Sequence, residues 1–499
     1  MILLVLGCVV VVVLLAALII AGARVGRLRK KKKGTPVAAE GLPLVGNLVG
    51  FASGPLSFIE RNFRKHGPVF SVHVMHKTLT FLIGPAASAP FFQNNDEVFS
   101  QPEVYGFMKS VFGPDVSLVR THPKNAARPQ IVYDAPSDKR RAQMQFMSRG
   151  LRADRLKSYV PKISAETRDF LKQEWGERGT LDLLNSLSEL TILTSSRCLH
   201  GDDVRETLFK EVSQLYHDLD KGITPLSFFW PTAPVASHKK RDQARIEMVN
   251  LFSKVIAQRR ADPKPRTDIL QVFIDMQYKD GTRPTDDNIT GLLIALLFAG
   301  QHTSSITSTW TLLFIAANPA LKARLVEEQN SLLRTDQDPT YDDLNKMPLL
   351  HDCIKESLRM HPPLIMLMRK VMKDIEVSDG KQTYVLPKGD IAIVSPAVAG
   401  RLDAVFKDPD VFDPDRYAAP REEHKAVPFA HLGFGAGIHQ CMGQQFGYMQ
   451  VKTILSHILR NYDVSLPPGL PFPEPDYTAM VVGPKGHPLL TYAKKIATT

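Results

Sequence analysis

The sequence predicts a mostly helical protein with small β-sheets: one large α+β domain preceded by a single N-terminal transmembrane helix. Three observations carry that reading. The N-terminus is an uncharged apolar run, apolar residues recur at the helical period from Ser137 onward, and β-branched or aromatic runs are short, at 69–74, 78–83 and 391–394. With 44% hydrophobic and 23% charged residues, 36 prolines and 31 glycines, the composition excludes collagenous, low-complexity and wholly disordered chains.

Residues 1–23 contain no charged side chain. A helix over them is about 34 Å long, enough for a bilayer core of about 30 Å. The basic residues follow the apolar run, as Arg24, Arg27, Arg29 and Lys30 to Lys33, which is the pattern of a retained signal anchor rather than a cleaved signal peptide. The positive-inside rule then places the rest of the chain on the cytoplasmic face. Residues 24–43 form a basic juxtamembrane linker, with Gly34-Thr35-Pro36 and Gly41-Leu42-Pro43 as helix breakers. The chain holds 62 bases against 51 acids, a net +11; without the seven bases of this cluster, 55 stand against 51, or +4. The charge therefore belongs to the membrane end, where it also attracts anionic lipid, and nucleic acid is excluded as a partner. Cysteines 8, 198, 353 and 441 form no CxxC pair, which argues against a disulfide framework or structural zinc. Residues 44–499 show no repeat, second linker or composition break and are taken as one domain.

The most informative helix starts after Thr285, an N-cap followed by Asp286 and Asp287, and stops before Pro319. It is about 48 Å long. Its apolar stretch, 289–299, is about half of what a membrane span needs, so it is a helix through a protein core. The polar patch Gly300-Gln301-His302-Thr303-Ser304-Ser305 interrupts it. Glycine there costs about 1 kcal/mol relative to alanine, and the Thr303 hydroxyl can turn to a backbone carbonyl.

Near the C-terminus, Phe434-Gly435-Ala436-Gly437-Ile438-His439-Gln440-Cys441-Met442-Gly443 is a glycine-rich loop leading into a helix over 442–460. Cys441 then stands at a helix N-terminus, where the dipole and free N–H groups favour a thiolate. Glycines 435, 437 and 443 let the backbone approach a large flat group, and such a thiolate suits the axial position of a haem iron. A buried structural cysteine is the competing reading. Upstream, Glu356-Ser357-Leu358-Arg359 sets acid and base at i and i+3, and Phe412-Asp413-Pro414-Asp415-Arg416 follows, with Arg416 57 residues after Arg359 and 25 before Cys441.

In this order the three segments resemble the ExxR, PxR and FxxGxHxCxG signatures of the cytochrome P-450 superfamily. The resemblance implies that Glu356, Arg359 and Arg416 form a structural triad and that Cys441 ligates haem b, iron protoporphyrin IX, within a loop including Phe434 and Gly437. It also implies one large triangular fold. Ala299-Gly300-Gln301-His302-Thr303 matches the superfamily's oxygen-activating segment, with histidine in place of its acid, which is similar to the sterol 14α-demethylases. Val104-Tyr105-Gly106-Phe107 with Val111-Phe112-Gly113, Gly222-Ile223-Thr224-Pro225, the stretch from His361 to Arg369, and that from Pro475 to Val482 agree. That family likeness implies removal of a sterol 14α-methyl group by successive O2- and NADPH-dependent oxygenations, with formate released as a 14,15 double bond forms. His302 and Thr303 are the catalytic pair it nominates, and electrons come through a separate NADPH-cytochrome P-450 reductase. It further implies a single-pass endoplasmic reticulum membrane protein and azole inhibitors that ligate the iron.

Matching the family's motifs nominates Tyr105, Tyr133, Arg141, Arg369 and His439 for the haem propionates. For the sterol it nominates Tyr105, Phe107, Met108, Phe112, Ala295, Phe298, Ala299, Leu364, Met366, Met368, Met480 and Val481. Phenylalanine at 107 resembles enzymes preferring 4-monomethyl sterols such as obtusifoliol, since the ring crowds a second 4-methyl group; lanosterol, eburicol or another sterol remains the alternative. Ile438, Gln440 and Gln444 depart from the family's usual arginines and glutamate, which bears on reductase docking, and extra sequence lies within 117–132. Two competing classes are a peroxide-rearranging haem-thiolate enzyme, which would lack the His302 and Thr303 pair, and a non-catalytic sterol or haem binder.

Overall fold

The computed structural model describes residues 34–39, 41, 46–113, 131–262, 264–334 and 337–495. The expected anchor, its basic cluster and nearly all of the extra segment lie outside the described residues. The chain divides into two compact units, each assembled from three separated stretches: unit one from 1–104, 364–409 and 423–440, and unit two from 105–363, 410–422 and 441–499. Because the stretches interleave, no break in composition marks the division.

Unit one is built on a six-stranded sheet in the order Val37–Ala38, Val69–Val74, Lys77–Leu82, Ile391–Val394, Leu367–Val371, Phe99–Ser100. The hairpin pairs Val69 with Leu82 and Val74 with Lys77, leaving a two-residue turn, so the second strand starts one residue before the expected 78. All four residues of Ile391–Val394 are buried, as in a central strand covered on both faces. The first labelled helix, α1 (Pro85–Gln93), carries proline in its first turn and packs Ala87, Phe91 and Phe92 into a core with Phe99, Val371, Val394 and Leu432.

Unit two is helical. The helices that bear on the site are α2 (Ser137–Gly150), α3 (Leu183–Leu199), α4 (Phe209–Lys221), α5 (Pro225–Phe229), α6 (Ala236–Ala261), α7 (Asp286–Ala317), α8 (Pro348–Met360) and α9 (Gln444–Asn461). An antiparallel sheet of Tyr462–Ser465, Leu489–Lys494 and Arg178–Asp182 accompanies them. Helix α7 packs against α3, α6, α8 and α9. It begins as expected: the Thr285 hydroxyl accepts the Asn288 backbone N–H at 3.2 Å while the Asn288 side-chain Oδ1 accepts the Thr285 N–H at 3.1 Å. Although long and apolar enough to cross a bilayer, α7 is mostly buried inside the protein, as a core helix is. Several of its threonine hydroxyls are satisfied within the helix, whereas the buried Ser308 hydroxyl has no partner among the described residues. Thr303, Thr307, Thr309 and Thr311 donate to the carbonyls of Ala299, Thr303, Ser305 and Thr307 at 2.6–2.8 Å, which lets a polar patch sit in a core.

At the end of α3, His200 is fully buried beside the Arg259 guanidinium, which donates to its carbonyl at 2.8 Å. Burial, with that positive charge, holds the imidazole neutral and pushes its pKa down to about 4. Between the unfolded value of about 6.5 and that value, the unfolded chain takes up a proton that the folded chain refuses, so stability falls as pH falls through this window. Over the whole window the loss amounts to about 3 kcal/mol. The His200→Gln protein is expected to lose less thermal stability than the parent between pH 6.5 and 4; parallel losses in the two proteins would contradict this.

Candidate active site

The Glu356 side chain is fully buried on α8 and receives five donors. Arg359 donates through Nε at 2.8 Å and Nη2 at 2.7 Å, Arg416 through Nε at 2.9 Å, Tyr417 through its hydroxyl at 2.9 Å, and Asp413 through its backbone N–H at 2.9 Å. The Val411 carbonyl accepts from both arginines, at 3.3 and 3.1 Å. The i, i+3 pair, which alone reads as a surface ion pair of little worth, is thus the centre of a buried network. Tyr417 is a member that the sequence reading missed. Burial and the Glu356 carboxylate raise its pKa far above the usual phenol range, so it acts as a donor.

Cys441 is exposed and lies three residues before α9, which begins at Gln444 rather than 442 because Gly443 takes the N-cap position. Desolvation by the surrounding protein pushes the thiol up, and the Gly443 N–H, donating to the sulfur, works against that. In the part of the loop belonging to unit one, Gly435 and Gly437 both have φ of +68°. A Cβ on Gly437 would stand 2.0 Å from the Phe92 carbonyl oxygen, so packing on α1 alone requires glycine here. Phe434 is half-buried in the same loop. His439 lies with Nε2 3.1 Å from an Asp96 carboxylate oxygen. Arg369 is buried with its guanidinium 4.2 Å over the Phe91 ring, donating to the Phe91 carbonyl.

In unit two, Ala295, Ala299 and Thr303 follow one face of α7 at i, i+4 and i+8. Ala299 is exposed and Ala295, Gly300 and Thr303 are half-buried, between stretches of the helix that are buried. A Cβ on Gly300 would meet nothing within 4 Å. An accessible thiol on a glycine loop and a small-residue opening in a core helix are a set of residues that fits a haem-thiolate centre. One residue from the opening, His302 holds Nε2 3.1 Å from an Asp220 carboxylate oxygen on α4. The sequence reading missed Asp220, 82 residues away; its signal is Tyr216 and Asp220 at i, i+4 just before the Gly222-Ile223-Thr224-Pro225 stretch.

The structure gathers several of the nominated rings. Tyr105 stacks on Tyr133 at 5.7 Å and lies 6.1 Å from Phe107; Phe112 lies 6.3 Å from Tyr133 and 6.2 Å from Phe298. Tyr216, at 4.4 Å from Phe298, and Phe228, at 5.7 Å from Phe107, join this cluster without having been nominated. Met108 is half-buried at the end of the Tyr105–Met108 turn. Met480 is exposed and Val481 half-buried in an irregular stretch tied by the Val482 N–H to the Pro363 carbonyl at 2.8 Å. Leu364, exposed, and Met366 and Met368, half-buried, belong to unit one. Arg141, exposed on α2, makes no ion pair among the described residues. Ile438 is 62% exposed.

A family model described as Cytochrome P450 matches residues 36–491. The chain is 45% identical to an obtusifoliol 14-alpha demethylase of Triticum aestivum over 92% of this chain and 98% of the relative. It is 44% identical to a sterol 14-demethylase of Arabidopsis thaliana, over 93% and 92%, and 38% identical to a lanosterol 14-alpha demethylase of Mus musculus, over 93% and 88%. Among solved structures, retinoic acid bound cyanobacterial CYP120A1 superposes with a TM-score of 0.79 at 21% identity, covering 93% of this chain and all of that one, a likeness of fold.

Removing one partner of a buried ion network leaves an uncompensated charge at a cost of about 3–5 kcal/mol. Arg416→Lys, which keeps the charge but loses the planar donor pair to Glu356 and Val411, is expected to lower stability by roughly 3 kcal/mol in urea unfolding of the full-length protein. A loss below about 1 kcal/mol would show that the network is dispensable.

Proposed function

The chain belongs to the cytochrome P450 family and, within it, to the sterol 14-demethylases, and we propose on that footing that it removes the 14α-methyl group of a 4-monomethyl sterol such as obtusifoliol. It is a haem-dependent monooxygenase. When bound, haem would supply the oxygen chemistry, and the Cys441 thiolate would hold its iron. The methyl carbon passes through alcohol and aldehyde and leaves as formate while the 14,15 double bond forms.

The observation that carries this reading is the His302 and Asp220 pair beside Thr303 at the opening of α7. Oxygen activation needs protons delivered at a dry site, and these residues hold them at defined atoms. The Thr303 hydroxyl donates at rest to the Ala299 carbonyl at 2.6 Å and can turn from it towards the opening. His302 Nε2 lies 3.1 Å from an Asp220 carboxylate oxygen, and this pair is the proposed source of protons for Thr303. A peroxide rearrangement has no use for such a pair, which favours the monooxygenase over that alternative.

Arg141, Arg369, His439, Tyr105 and Tyr133 are the proposed propionate donors, of which Arg141 has no competing partner among the described residues. The Phe107 ring, 5% exposed, is the proposed barrier to a second 4-methyl group. Relatives named for obtusifoliol stand at 44–45% identity and those named for lanosterol at 37–38%, which supports the same preference. Electrons arrive from NADPH through a separate reductase, the enzyme sits in the endoplasmic reticulum membrane on an N-terminal anchor, and azoles ligate the iron.

Reconstitution with a cytochrome P450 reductase, NADPH and each of obtusifoliol, lanosterol and eburicol tests the assignment. The 14-demethylated product is expected from obtusifoliol fastest; no product from any of the three would overturn it, and faster lanosterol turnover would overturn the preference. Asp220→Asn is expected to lower kcat by about 10²-fold with little change in KM, as loss of proton delivery demands. An unchanged kcat would remove the pair from the mechanism.

A further inference from the structure

We infer that Phe228 is a second specificity-determining residue, which sets the strictness of sterol selection by fixing the Phe107 ring edge to face; the inference rests on the reading of Phe107 given above. The two ring centroids are 5.7 Å apart at 74°. Tyr105 is a second aromatic neighbour of Phe107, with centroids 6.1 Å apart at 35°.

A ring on a five-residue helix makes a poor barrier unless the helix itself is held, because one turn is not stable alone. Helix α5 is held from the first turns of α6. The Thr224 N–H donates to the Ser227 hydroxyl at 3.1 Å, and that hydroxyl lies 3.0 Å from His238 Nε2, whose Nδ1 lies 3.1 Å from the Ala233 carbonyl. Arg241, buried, donates to Asp242 at 2.8 and 2.9 Å and to the Pro231 carbonyl at 3.2 Å. A Cβ on Gly222 would stand 2.3 Å from the Arg241 Cβ, so the chain entering α5 is pressed directly on α6. Along this segment Leu226 and Trp230 are 41% and 55% exposed, whereas Phe228 is half-buried against the nominated ring. Phe228 is thus the point at which an anchored segment bears on the residue that selects the sterol.

An edge-to-face pair is worth between about two- and tenfold in an equilibrium or rate ratio. The test is a double-mutant cycle on Phe228→Ala and Phe107→Leu, read as the ratio of kcat/KM for obtusifoliol over lanosterol in the reconstituted full-length enzyme, with haem content as the folding control. Phe228→Leu replaces Phe228→Ala if the alanine protein does not fold. Phe228→Ala is expected to lower the ratio between about two- and tenfold in the parent, and by less than about twofold once residue 107 is leucine. Equal effects in both backgrounds would overturn the inference, since Phe228 would then act independently of Phe107. If Phe107→Leu lowers the ratio and Phe228→Ala does not, the inference fails and the reading of Phe107 stands. If Phe107→Leu leaves the ratio unchanged, the reading of Phe107 falls and the inference with it.

Discussion

Unit two depends on one buried carboxylate. Glu356 gathers two guanidinium groups, a phenol and a backbone N–H, all removed from water. Taking such charges out of water costs several kcal/mol per ion, and the arrangement is stable only because nearly every donor has an acceptor. Two guanidinium groups face one carboxylate, and the Val411 carbonyl, accepting from both, takes part of the excess. The network ties α8 to the stretch 410–422, which carries Arg416 and Tyr417. Helix α8 in turn packs on α7 and α9, so the helix with the opening and the helix that follows Cys441 both rest on the element that Glu356 anchors.

What the sequence made legible follows from how local each signal is. The start and end of α7 were readable because a Thr-Asp-Asp cap and a proline act within a few residues, and three strands were readable as short β-branched or aromatic runs, though not their pairing. The beginning of α9 was misplaced because Gly443, a weak cap without a side chain, gives no signal of its own. The triad came from spacing and resemblance, while its burial and Tyr417 could be seen only in three dimensions. Asp220 and Phe228 escaped for the same reason: each meets its partner from more than 80 residues away, and nothing in the local pattern names that partner.

Function turns on the contrast between the two ends of that framework. Helix α7 is mostly buried, yet opens at Ala299 to Thr303, where Gly300 leaves space and His302 reaches outward to Asp220. The histidine at the place of the superfamily's usual acid has a carboxylate beside it, that of Asp220 on α4, 3.1 Å from its Nε2. The aromatic cluster around Phe107 and Phe112 lies in the same unit, so the proposed proton delivery and the proposed sterol selection are both built on α7 and its neighbours.

The claim beneath all of this is that Cys441 holds the iron as a thiolate. The reduced carbon monoxide difference spectrum tests it most directly, recorded for the full-length protein and for Cys441→Ala with far-ultraviolet circular dichroism as the folding control. A strongly red-shifted band is expected in the parent and is expected to be missing from a folded Cys441→Ala protein. The same band in both proteins, or none in a haem-loaded parent, would contradict it.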